Sequence, residues 1–153
     1  MAEVKSKYIA LAPKTFEIAD RLHSAAIHML RRVRRQDALT GEGPARLSAL
    51  SVLVFAGPRT LKELAAAEQV KPPTMSRIVA GLRRSRLVEI ERDVRDARLM
   101  RIYATARGVR LIKRGRQRRI EYLAVHLNAL TRGELAKLGA AAQILEKILH
   151  DSQ

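Results

Sequence analysis

No cysteine occurs in this chain of 153 residues, which excludes disulfides, thiolate zinc sites, cysteine nucleophiles and cysteine-based peroxide sensing. Acid is scarce too: 15 Asp and Glu stand against 30 Lys and Arg, a formal charge of +15. The four histidines, His23, His28, His126 and His150, stand apart. His23 and His28 are five apart on one predicted helix, so they do not face each other as i,i+4 ligands would. There is no H-E-x-x-H, no nucleophile elbow and no phosphate-binding glycine loop. These absences speak against an enzyme and against a resident metal or cofactor. No apolar run is long enough to span a bilayer, and Met1-Ala-Glu-Val-Lys5 carries no signal-peptide pattern. A cytoplasmic chain is expected, of a length that suits one domain or a domain with an oligomerisation element.

The positive charge that is present is concentrated. Between Lys71 and Arg119 there are 16 Lys and Arg against four acids, a net +12 in 49 residues. A general solubility device would not be gathered in this way, whereas a face that binds a polyanion would.

Most of that excess follows a recognisable order of short elements between residues 60 and 104. Thr60-Leu-Lys-Glu63 is a capping box, and Leu61, Leu64 and Ala65 give the helix after it one apolar face. Val70-Lys71-Pro72-Pro73 ends that helix and starts the next, because proline disfavours the helical region for the residue before it and loses nothing in a first turn. In the new helix Met75, Ile78, Val79 and Leu82 mark the buried face and leave Thr74, Ser76, Arg77, Ala80 and Arg84 outward. A helix entering a major groove needs small residues for close approach, N-terminal N–H groups for phosphate, and Arg for the two acceptors of guanine.

Residues 87–92 and 99–104 then alternate apolar with charged, as half-buried strands do. The register that keeps apolar opposite apolar pairs Ile90 with Met100, Val88 with Ile102 and Glu89 with Arg101. Asp93 to Arg98 is the tip of this hairpin, held by its own Asp–Arg contacts and leaving one Arg for phosphate or a narrow minor groove. Two short helices, a cationic second helix and a charged hairpin make the pattern of a winged helix-turn-helix.

These residues resemble the multiple-antibiotic-resistance regulator (MarR) family of bacterial and archaeal winged-helix transcription factors. The matching pieces, in order and at family spacing, are Leu-Lys-Glu-Leu-Ala at 61–65, Pro73-Thr74-Met75-Ser76-Arg77, Leu87-Val88, Asp93-x-Arg95-Asp96-x-Arg98, and Thr105-x-x-Gly108. With the flanking helices the similarity covers roughly residues 15–149. The family usually has glycine just before Leu87-Val88. Here Arg86 stands there, which disfavours a left-handed cap and adds a candidate phosphate contact.

The flanks read as helices. Residues 1–14 are an arm ending near Pro13. From Thr15 to about Gln36, Ala19, Leu22, Ala26, Met29 and Val33 form an apolar stripe, and the Arg31–Arg35 cluster complements the negative helix end. The turn-rich DALTGEGP leads to Leu47–Phe55, an apolar segment expected in the core and stopped by Gly57-Pro58. A long helix after Thr105 carries Val109, Ile112, Ile120, Leu123 and Leu127 on one side and dense cations in its first half. Arg116 to Arg119 there suit either DNA backbone or a solvated face. Thr131-Arg-Gly-Glu134 is a second capping box, and Leu135, Leu138, Ala142, Leu145 and Leu149 form a seam behind it.

The expected fold is thus mainly α with a small β wing: a winged helix-turn-helix over 45–104, with dimerisation helices over 15–44 and 105–153. One small domain cannot cover all these stripes, and a second copy offers the missing surface. The resemblance implies the same two-fold dimer, with N- and C-terminal helices interlocked. Two-fold symmetry then predicts a pseudo-palindromic DNA site with half-sites roughly 10 base pairs apart.

The function expected is that of a sequence-specific regulator, taken as a repressor. Pro73, Thr74, Ser76 and Arg77 are its major-groove candidates. Arg95, which matches the family's wing-tip arginine, is the minor-groove candidate, with Asp93 and Arg98 bracing the tip. Lys71, Arg83, Arg84, Arg86, Arg107 and Arg110 are backbone candidates. The resemblance also permits a small aromatic effector, for which Arg21, His28 and Phe55 are possible lining groups, although each reads first as core or surface. An architectural DNA-binding protein would use the same charge without sequence preference. A scaffold would instead offer its winged helix to an acidic protein.

Overall fold

The computed structural model describes residues 12–93, 96 and 98–150. It divides into two compact units, one ending at Gln36 and one beginning at Asp37.

The first unit is one helix, α1, Pro13–Arg34. Pro13 opens it in the first turn, where a missing N–H costs nothing. Arg31, Arg32 and Arg34 fall in its last turn, where cations offset the partial negative charge of unsatisfied carbonyls. Phe16, Leu22, Met29 and Leu30 remain exposed on it.

A 3-10 turn, Arg35–Thr40, runs across the boundary into the second unit and leads to α2, Pro44–Phe55. Leu47, Ala49, Leu50 and Leu53 of α2 are buried, and the helix packs against three later helices and the wing. Phe55 departs from the expected core: it is 62% exposed at the end of α2. Gly57, with φ of 82°, turns the chain out of the helix. The two-residue strand β1, Arg59–Thr60, follows, then α3, Leu61–Ala67. Both hydrogen bonds of the capping box form, Glu63 N–H to Thr60 Oγ1 at 3.3 Å and Thr60 N–H to Glu63 Oε2 at 2.7 Å.

The helix α4, Pro72–Arg84, comes next, then the strands β2, Val88–Arg92, and β3, Met100–Ala104. They are followed by α5, Ala106–Leu127, and α6, Arg132–His150. The core is one cluster, centred on Leu50, Leu64, Met75, Leu82, Leu87 and Val88. The second capping box also forms, Thr131 N–H to Glu134 Oε2 at 2.9 Å and Glu134 N–H to Thr131 Oγ1 at 3.3 Å. Every residue of α6 is exposed in the single chain.

The sheet differs from the expected hairpin in two ways. It has three strands in the order β1-β3-β2, and its register is shifted by two residues. Ile90 lies opposite Ile102, Val88 opposite Ala104 and Glu89 opposite Tyr103. A two-residue slip keeps every side chain on its own face, so alternation does not distinguish the two registers. Burial does: Ile102 is 2% exposed and faces half-buried Ile90, while Met100, 48% exposed, falls at the wing's outer end. Leu99 leaves the strand altogether and its carbonyl closes the tip, accepting the Asp93 N–H at 2.8 Å.

One junction joins α4, the wing and α5. The Leu87 carbonyl accepts the Thr105 N–H at 3.0 Å, and the Thr105 hydroxyl donates to the Arg86 carbonyl at 2.9 Å. The same hydroxyl accepts the Gly108 N–H at 3.1 Å and caps α5. A Cβ on Gly108 would lie 2.3 Å from the Leu87 oxygen, so the glycine of Thr105-x-x-Gly108 serves close approach. Arg86 takes the left-handed conformation, φ 57°, that its side chain was expected to disfavour. The bond from Leu87 N–H to the Leu82 carbonyl, 2.9 Å, together with the anchored Arg86 carbonyl, holds it there.

Replacing Arg86 with glycine should relieve that conformation and raise stability by about 0.5–1 kcal/mol, read as a higher urea midpoint; a lower midpoint would show that the arginine side chain contributes more than the backbone costs. A second expectation concerns acid. Thr60's backbone and side chain lower the Glu63 pKa, helped by the charge of Arg101, and Thr131's side chain and backbone lower that of Glu134. The stability this contributes is fully present above the unfolded Glu value of about 4.3 and is lost as pH falls through the lowered folded values. Urea titrations at falling pH should therefore show wild type losing stability across this window and the Glu63→Gln/Glu134→Gln variant losing less of it, whereas equal slopes would rule the boxes out as the source.

Candidate nucleic-acid interface

The turn between α3 and α4 is tight. Gln69 is left-handed, φ 54°, and Val70 N–H returns to the Ala65 carbonyl at 3.0 Å. Val70, half-buried, packs against the core, so the turn aims α4 across α3 in a fixed direction. On α4 the buried side is Met75, Val79, Gly81 and Leu82. Pro73, Thr74, Ser76 and Arg77 are all exposed, as are Ala80, Arg83 and Arg84. Gly81 keeps the back of the helix thin: the Arg46 side chain, paired with Glu42 at 3.0 Å, crosses it where a Cβ would meet the guanidinium at 2.5 Å.

The start of α4 lacks one of the expected features. Pro72 and Pro73 have no N–H, and those of Thr74 and Met75 both return to the Lys71 carbonyl, at 3.0 and 3.1 Å. The helix start therefore offers no spare amide to an anion, and any phosphate there must be met by side chains. Lys71, exposed at the N-cap, is one. Arg86, Arg107 and Arg110 are exposed as well, around the junction where α5 begins. Arg119 pairs with Asp37, which accounts for one of the cations of the 116–119 group within the chain. Arg116 is exposed.

At the wing tip Asp93 and Asp96 organise the backbone. Asp93 Oδ1 accepts the Asp96 N–H at 3.2 Å, and Asp96 Oδ1 accepts the Arg98 N–H at 3.0 Å. Arg95, the wing-tip candidate, lies outside the described residues. Asp93 is 8% exposed, so it serves as a brace from within. Its charged partner is Arg101, whose Nε donates to Asp93 Oδ2. Arg98, the other residue expected to brace the tip, gives its backbone N–H to Asp96, and its side chain is exposed.

Arg101 is the residue that sequence reasoning misplaced. Expected opposite Glu89, it stands opposite Glu91 in β2 and Thr60 in β1. Its Nη1 lies 3.6 Å from Glu63 Oε2, so one guanidinium links the buried wing carboxylate to the α3 capping box. The hydrogen bond to Asp93 raises the Arg101 pKa, which leaves it charged throughout. The missed signal was β1: two residues carry no period, and the capping box that follows them drew Thr60 into the helix.

Among the described residues a recess of about 680 Å³ lies between α4 and the wing. Another, of about 600 Å³, is lined by Phe55 with Lys113, Arg116 and Gln117 of α5. Arg21 and His28 are exposed on α1. Among the described residues no His, Asp and Glu gather as a metal site, and no helix is long and apolar enough to cross a membrane.

A family model described as MarR family matches residues 41–99. An HTH-type transcriptional regulator of Mycobacterium bovis is 30% identical over 135 residues, covering 88% of this chain and 94% of that protein. Among solved structures, a MarR family protein from Bacillus stearothermophilus aligns with a TM-score of 0.78 at 23% identity, over 92% of this chain and 99% of its own. A mutant of MepR from Staphylococcus aureus, bound to an oligodeoxyribonucleotide, aligns with a TM-score of 0.66 at 20% identity, over 89% and 98%.

The brace can be tested directly. Arg101→Ala should remove the guanidinium that meets the buried Asp93 carboxylate and lower the urea midpoint more than Arg98→Ala does. In the double variant with Asp93→Asn the two losses should be less than additive, and full additivity would mean that the pair is not coupled.

Proposed function

The chain belongs to the MarR family of helix-turn-helix transcriptional regulators, and from that premise we propose that it represses transcription by binding a pseudo-palindromic DNA site as a homodimer. The observation that carries this reading is the outward face of α4: Pro73, Thr74, Ser76 and Arg77 are exposed together at one end, and exposed cations continue from there through Arg83, Arg84 and Arg86. Small residues let the helix approach base edges, and Arg77 reads the two acceptors of a guanine. Lys71, Arg83, Arg84, Arg86, Arg107 and Arg110 hold the backbone, a task the closed start of α4 leaves to side chains. Arg95 enters the minor groove from a tip that Asp93 braces and Arg98 adjoins.

Residues 45–104 form the DNA reader in this proposal, and residues 15–44 and 105–153 the dimerisation helices. Leu135, Leu138, Ile144, Leu145 and Leu149 of α6 are each 37–69% exposed, an apolar seam that a second copy covers. The dimer spaces its two α4 helices for half-sites roughly one turn of DNA apart. A small aromatic anion acting as effector finds apolar surface on Phe55 and charge on Lys113 and Arg116 in the recess there.

The decisive experiment is selection of binding sequences from random duplex DNA at near-physiological salt, run beside Arg77→Ala. A pseudo-palindrome that loses definition in the variant is expected, with Arg77 worth about 1–3 kcal/mol of discrimination. Affinity for the selected site should fall about a thousandfold between roughly 50 and 200 mM salt if six phosphates are neutralised. Equal retention of both proteins without an enriched sequence would favour a nonspecific architectural role.

A further inference from the structure

The groove between α4 and the wing has an unusual composition for a surface flanked by so much charge. Its walls are Ser76, Ala80, Arg83 and Arg84 on the helix side and Ile90 and Met100 on the wing side. Cations stand on one wall only, and the opposite wall presents carbon. Ala80, Arg83, Arg84 and Met100 are exposed and Ile90 is half-buried, so the groove is open to a ligand along its length.

Duplex geometry restricts what can enter it. A helix in the major groove and a hairpin in the neighbouring minor groove are separated by one sugar-phosphate strand, which must run through the space between those two protein elements. Phosphate against Ile90 or Met100 would be stripped of water without a partner. Phosphates therefore turn to Arg83 and Arg84, and the carbon edge of the sugar turns to Ala80, Ile90 and Met100.

We infer that the groove between α4 and the wing is the seat of a deoxyribose-phosphate strand, and that its apolar wall selects against a 2′-hydroxyl. This rests on the DNA-reading function proposed above. It goes beyond that reading by assigning a part of the nucleic acid to carbon side chains rather than to cations. A ribose in the seat buries its hydroxyl against side chains that have no acceptor, whereas a deoxyribose buries only carbon. The wing thereby contributes to the choice of DNA over RNA through Ile90 and Met100.

The test is a single-ribonucleotide scan. Each deoxynucleotide of the selected duplex is replaced in turn, and the dissociation constant is measured by fluorescence anisotropy. One or two positions in each half-site should weaken binding about tenfold while the others change little. Met100→Ser, at an exposed position where folding is not at risk, places a hydroxyl partner in the wall and should reduce that loss to about threefold or less. A loss of unchanged size in Met100→Ser would trace to duplex geometry and overturn the seat. Tight, sequence-specific binding of the all-deoxy duplex with a flat scan would overturn the seat alone. No specific binding of that duplex would bring down the DNA-reading function and the seat with it. A flat scan accompanied by a benzoate-induced shift of the Met100 methyl NMR signal would overturn the strand in favour of a small-anion site.

Discussion

The Leu87 carbonyl stands where α4 has ended, the wing begins and α5 starts, and the geometry of the whole reader depends on how that point is held. Thr105 binds it from one side with its N–H and binds the neighbouring Arg86 carbonyl with its hydroxyl. Gly108 packs against the same oxygen closely enough that no other residue fits without a shift. Three elements thus share one set of hydrogen bonds. Each of those bonds is local in space but spans about twenty residues of chain, which is why the angle between α4 and the wing does not depend on either element alone.

The wing has a second anchor of a different kind. A carboxylate buried near the hairpin tip is costly unless its charge is met, and Arg101 meets that of Asp93 from the adjacent strand. The same guanidinium reaches toward Glu63 at the start of α3. The wing is therefore tied near its outer end to the first helix of the helix-turn-helix, and at its base to the last turn of the second. With both ends fixed, the groove between α4 and the wing keeps a defined width, and a defined width is what a nucleic-acid strand requires.

In the DNA-bound state proposed above, charge and shape divide the work between them. Arginines around the junction and along α4 provide attraction that is long-ranged and indifferent to sequence. The small residues at the start of α4 and the carbon wall of the wing act only at contact. The missing amides of Pro72 and Pro73 and the closed ones of Thr74 and Met75 sharpen this division, because the first turn of α4 does not compete for phosphate and is left to approach bases.

Much of this was legible from residue order. Periodicity located α3, α4 and both long strands, the capping boxes at Thr60 and Thr131 fixed two helix starts, and the outward face of α4 was read correctly at Thr74, Ser76, Arg77 and Ala80. These features are local: a helix face or a cap is decided by residues within a few positions of one another. What only the tertiary structure decided were choices between locally equal states. The strand register shifted by two because alternation is blind to even slips and burial of Ile102 is not. Arg86 became left-handed because Thr105 and Leu82 hold its neighbours, a constraint that overrides its own preference. Asp93 meets Arg101, a residue expected opposite Glu89, because a third strand, two residues long, helps set where Arg101 stands. Local pattern determined which elements this protein has and which faces they bury, and long-range packing determined how those elements are joined, since only contacts distant in sequence distinguish alternatives that nearby residues leave equal.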